Sequence, residues 1–253
     1  MKLNVKEILS DAFAFYKGNW KRLVGLSVFM TLCAFPMYGM SGLEALLKPL
    51  LKSQTPLEQA VPMLMTWTIY VYAILIPLLF FAPKVMMTFY IFVNVLLGKK
   101  PCTFREAYID TKGKYWLCVG YALLMGIAYV ALMQIPFLPG AMYGLIIQTL
   151  WFALVGAFFY TVIPQIAIES KGYKYLRKTW VMQKGNFRKL VLLQFLTLGL
   201  LSLVVGISNL LFPAQAAIIQ LVHVLLYGIT YPFYVIVATI VYRILSTRRY
   251  ASR

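Results

Sequence analysis

Three short stretches of the chain place apolar residues at steps of three and four. In the first, Val5, Ile8, Leu9, Ala12, Phe13 and Tyr16 share one side, and Lys6, Ser10, Asp11 and Lys17 take the other. In the second, Phe104, Ala107, Tyr108 and Thr111 oppose Arg105, Glu106, Asp110 and Lys112. In the third, Tyr173, Leu176 and Trp180 oppose Lys174, Arg177 and Lys178. This period predicts three amphipathic helices of the kind that lie in a membrane interface, apolar side down.

Between them the polar positions almost vanish. Apolar runs cover 22–42, 62–97, 116–135, 143–168, 188–211 and 216–244. Each reaches the length of about 20 residues that a crossing helix needs. The second is too long for a simple crossing, and Pro77 and Pro83 lie where it could break. The segment 41–62 is long enough for an amphipathic outer helix, whereas 135–144 and 211–215 read as tight turns.

Each amphipathic stretch ends on Lys-Gly, a polar residue and an aromatic one: "KGNW" at 17–20, "KGKY" at 112–115 and "KGNF" at 184–187. Gly18, Gly113 and Gly185 are expected to take left-handed backbone and end each surface helix. Trp20, Tyr115 and Phe187 then start the spanning helix at head-group level, where Trp and Tyr are favoured. The expected fold is an all-α polytopic membrane protein. Six transmembrane helices form three pseudo-repeated hairpins, each preceded by a cytoplasmic amphipathic interfacial helix. The units cover about 1–100, 101–168 and 169–253, within one membrane domain over 1–253.

Charge fixes the expected orientation. With the N-terminus inside and 62–97 as one crossing, nearly all of the 24 Lys and Arg fall in inner segments. Lys48 and Lys52 lie outside, and Lys84 lies within the second run. This positive-inside bias predicts six crossings with both termini in the cytoplasm. The net charge of +17 is then matched to anionic head groups of the inner leaflet, and not to nucleic acid. The basic inner segments also offer a surface for a protein partner. Residues 1–21 do not read as a secretory signal, because Lys6 and Asp11 interrupt any apolar core.

Composition agrees: 62% of residues are hydrophobic and 12% charged, against about 25% charged in soluble domains. The three cysteines, Cys33, Cys102 and Cys118, show no framework spacing. None of the seven acidic residues lies deep in a run, so no paired carboxylate for ion coupling is present. A single histidine without Cys or carboxylate at ligand spacing predicts no metal site. No GxSxG, phosphate-binding loop or GxGxxG occurs, so neither an enzyme nor a cofactor is expected.

The candidate ligand contacts are polar groups within the runs: Lys84, Asn94, Gln165, Gln194 and His223. Lys84 could meet a lipid phosphate, or snorkel or cap a helix break. His223 and the amides could line a polar cavity or bond between helices. Glu169 opens "ESKGYKYLRKTW" and is expected to pair with Lys171 or Arg177, or to hold the third surface helix.

The stretches "ILSDAFAFYKGNWKRLVGL", "LLGKKPCTFREAY" and "VIPQIAIESKGYKYLRKTWVMQKGNFRKLVLL" carry a family resemblance. The chain resembles the superfamily that includes the membrane domain of membrane-anchored glycerophosphodiester phosphodiesterases. It is also similar to the YciC-type bacterial inner-membrane proteins. Pro139, Gly140, Pro164, Glu169, Gly185 and Asn186 occupy the family's positions of outer turn, span end and corner. The resemblance implies a six-span, lipid-associated or accessory domain. The family's phosphodiesterase activity belongs to a separate soluble barrel and is not implied. The expected function is therefore non-enzymatic: an accessory or amphipath-associated protein that binds or moves an amphipathic ligand within its bundle. The alternatives are an immunity protein against a membrane-active peptide and a permease subunit of an ATP-driven exporter.

Overall fold

The computed structural model describes residues 3–52, 83–120, 124, 141–169, 175–211 and 217–251. Among these, every regular element is a helix. In chain order they are α1 (Val5–Lys52), α2 (Pro83–Leu97), α3 (Phe104–Ile109), α4 (115–120), α5 (Ala141–Phe159), α6 (Val162–Ile168), α7 (Tyr175–Gln183) and α8 (Phe187–Gln194). A π-helical turn, Phe195–Gly199, joins α8 to α9 (Leu200–Leu211), and α10 (Ala217–Ala251) follows.

Three stretches are long and apolar enough to cross a membrane: Thr149–Ile168, Phe187–Val204 and Leu225–Thr247. They fall on the fourth, fifth and sixth runs of the sequence. The question of one broken helix or two over 62–97 falls on 62–82, outside the described residues. So does most of the run 116–135.

The expected corner at Gly18 is not present. α1 runs unbroken from Val5 to Lys52, through Gly18 and through the first part of the expected outer segment 41–62. A helical glycine costs only about 1 kcal/mol relative to alanine. Packing outweighs that cost, because α1 lies along α10 with Ile8, Ala12 and Leu23 buried. Asn19 stays in the helix by donating its side-chain amide to the Phe15 carbonyl, 3.0 Å away.

The other two corners form. Gly113 has φ +82° and Gly185 φ +81°, in the left-handed region that favours glycine. α3 begins with a reciprocal cap: Thr103 Oγ1 accepts from the Glu106 N–H, and the Glu106 carboxylate accepts from the Thr103 N–H. That bond also holds the exposed Glu106 carboxyl below its ordinary value.

The second surface segment docks on the bundle through its apolar side. Phe104 meets Phe92, and Tyr108 lies under Lys84, so α3 runs back along α2. The third corner also clasps the start of the chain. Asn186 Oδ1 accepts from the Leu3 N–H at 3.2 Å, and Lys189 donates to the Leu3 carbonyl. Asn186 is buried there, not held at the surface as its place in the corner suggested.

The core lies where α10 meets α1, α2 and α5. Val235, Ile236, Val237, Ala238 and Val241 of α10 are all fully buried, with Phe89 and Val93 of α2 and Ala157 of α5.

Candidate functional site

The fourth run breaks for a local chemical reason. Pro164 has no N–H for the Tyr160 carbonyl four residues back, and its ring crowds that oxygen. The helix stops at Phe159, turns through Tyr160 and Thr161, and restarts at Val162. The break exposes carbonyls at the C-terminal end of α5, and a second helix satisfies them. Gln183 of α7 donates its amide to the carbonyls of Ala157 (3.2 Å) and Phe158 (3.0 Å) and to Thr161 Oγ1 (3.0 Å). In an apolar medium such donors are what make a broken helix tolerable.

α10 repeats the device. Pro232 lies inside it and leaves the Gly228 carbonyl without its usual donor. One residue on, the Ile229 carbonyl accepts from the Tyr16 hydroxyl of α1 at 3.0 Å.

Below the first break, polar groups knit α6, α7 and α10 together. Thr179 Oγ1 donates to Gln165 Oε1 at 2.8 Å. Glu169, just past α6, pairs with Lys178 of α7 and accepts from the Tyr242 hydroxyl at 2.6 Å. Lys114 Nζ donates to the Ala167 carbonyl at 2.9 Å, closing the end of α6. Burial alone would raise the Glu169 carboxyl. The Lys178 and Tyr242 hydrogen bonds and the Lys178 charge outweigh it and hold the group below its ordinary value.

Above lies a layer of tyrosines. Tyr160 meets Tyr234 edge to face at 5.3 Å, Tyr234 lies 6.0 Å from Tyr231, and Tyr231 stacks on Phe89 at 6.2 Å. Tyr90 of α2 is buried against the same group. Beside it, Gln194 fills the space over Gly156: a Cβ on that glycine would stand 2.3 Å from Gln194 Nε2. Thr197, in the π-helical turn, donates back to the Leu193 carbonyl at 2.8 Å.

The residues singled out in the sequence take different neighbours. Lys84 is half-buried and places its ammonium 4.0 Å from the centre of the Tyr108 ring, a cation–π contact. Asn94 is half-buried on α2, and its carbonyl accepts from Gly98. Gln165 belongs to the α6–α7 knit, and Gln194 to the Gly156 contact. His223 is carried by α10, and its side chain lies outside the described ones. Of the corner aromatics, Trp20 is exposed, while Tyr115 and Phe187 are half-buried.

Glu169 holds the third surface segment through Lys178 and, among the described residues, not through Arg177; Lys171 lies outside the described residues. Sequence reasoning passed over Tyr160, Gln183, Thr179 and Tyr242. For Tyr160 a signal existed, four residues before Pro164. For Gln183 and Tyr242 none did, since their partners lie at least 22 residues away along the chain.

Among the described residues these polar groups are hydroxyls, amides and one carboxylate already engaged as an ion pair. The arrangement can hold helices in register and accept hydrogen bonds. No family model matches the chain, and no curated protein or solved structure shows significant similarity to it.

Proposed function

We propose that the chain is a non-catalytic integral protein of the bacterial inner membrane. Its basic inner face rests on anionic head groups, and its bundle serves an accessory, amphipath-associated role. One observation carries this reading. Trp20, Trp116 and Trp180 are 50%, 71% and 57% exposed, and each stands within four residues of an exposed Lys or Arg. Exposed indoles beside cations suit a membrane interface, where the ring sits at head-group level and the cation meets phosphate.

Six crossings with both ends inside are part of the proposal. They are supported by the positive-inside charge distribution and by the three crossing-length helices. The left-handed glycines at 113 and 185 support the kinship of the second and third repeat units. The first unit joins them by its sequence pattern. The resemblance to the membrane domain of glycerophosphodiester phosphodiesterases and to YciC-type proteins belongs to the same reading. Its support is the corner "KGNF" with its left-handed Gly185 and its buried Asn186.

The test is native mass spectrometry of the detergent-purified protein with added phosphatidylglycerol or phosphatidylcholine. Preferential retention of phosphatidylglycerol, weakening as salt rises, is the expected result. Equal retention of both lipids overturns the proposal.

A further inference from the structure

Four residues from two elements meet in one buried seam. Gly156 of α5 and Tyr160, in the turn just past it, stand four residues apart. Gln194 and Thr197 stand three apart, across the junction of α8 and the π-helical turn. The Gln194 amide lies where a side chain at 156 would be, and Tyr160 has Thr197 as its polar neighbour. A π-helical turn shifts the register of the backbone here, a feature that recurs at functional sites.

The seam holds buried polar atoms without partners. Gln194 Oε1 and the Tyr160 hydroxyl have no hydrogen-bond partner among the described residues, and both side chains are at most 1% exposed. The Thr197 hydroxyl proton is used on the Leu193 carbonyl. Buried polar atoms in such a state call for a partner that brings O–H or N–H groups. None of the four residues that form the seam carries a charge, so an ion there would gain no compensation from them. The two elements turn exposed Leu150, Leu154, Leu192 and Leu196 outward, so the approach to the seam is apolar.

We infer that this seam binds the uncharged, hydroxyl-bearing head of a neutral glycerolipid, its hydroxyls donating to Gln194 Oε1 and pairing with the Tyr160 hydroxyl. The inference rests on the amphipath-associated reading above and names the ligand class and its place.

The experiment titrates the purified full-length protein with 1-monooleoylglycerol by native mass spectrometry. Tyr160→Phe and Gln194→Met each remove one polar contact, and each is expected to bind about tenfold more weakly than wild type. Gly156→Ala removes no polar group but displaces the Gln194 amide. It is expected to weaken binding equally, and it decides the matter if either of the others fails to fold. Absence of binding to wild type, or equal binding by the folded variants, overturns the inference. Phosphatidylglycerol retention, measured in the same samples, is expected to stay unchanged. Its failure beside intact monooleoylglycerol binding would sink the basic-face reading and leave the seam standing.

Discussion

Three glycines in one sequence pattern end in two backbone states, and substitution separates them. Gly18 is helical, with nothing within 4 Å of an added Cβ. Gly18→Ala is expected to raise stability by up to about 1 kcal/mol. Gly113 and Gly185 have equally open surroundings but left-handed φ. Alanine there is expected to cost about 1–2 kcal/mol. Thermal unfolding in detergent reads both signs; a destabilising Gly18→Ala would show that α1 bends at that point. Glu169 gives a second test at this scale. Its folded carboxyl lies below the unfolded value of about 4.3, so its contribution is present above that pH. The contribution is lost as pH falls through the lowered folded value. Glu169→Gln is expected to lower the unfolding temperature at pH 7 and to flatten its decline below about pH 4.3. A variant with the wild-type acid profile would show that other carboxylates set it.

The elements show which parts of the pattern could be read directly. Runs four, five and six were legible because a crossing-length apolar stretch has few alternatives. α1 was misread at its centre, because a glycine after an amphipathic segment marks a stop only when no neighbour rewards continuation. α10 supplies that reward from more than two hundred residues away, and periodicity cannot see it. The α5–α6 break was legible in Pro164, but its cap was not. The Gln183–Pro164 pair therefore offers a cycle. Gln183→Leu is expected to cost about 1–3 kcal/mol, by taking from the Phe158 carbonyl the side-chain donor that reaches it and leaving Ala157 only the long bond from the Tyr160 N–H. Pro164→Ala restores an N–H and lets the helix close on itself, so the double variant is expected to lose less than the sum of the two. The coupling is expected at about 0.5–3 kcal/mol. Additive losses in urea or thermal unfolding would mean that Gln183 acts independently of the break.

At the scale of the whole molecule, the charge distribution sets the test. In a background without native cysteines, Ser53→Cys is expected to react with a membrane-impermeant thiol reagent on intact cells. Ser252→Cys is expected to react only after lysis. The reverse pattern would invert the topology. The candidate ligand residues were only partly legible at this scale. Gln165 and Gln194 stood out as amides in apolar runs, yet what each one touches depends on a helix the sequence does not place beside it.

The contact between α1 and α10, sealed by Leu3 on Asn186 and Lys189, has a consequence for synthesis. The first of the described helices finds its partner in the last of them. During insertion, the face of α1 that meets α10 waits without that partner until α10 itself is made. A chain cut short before α10 leaves that face bare, a mark by which membrane quality control can tell unfinished molecules from complete ones.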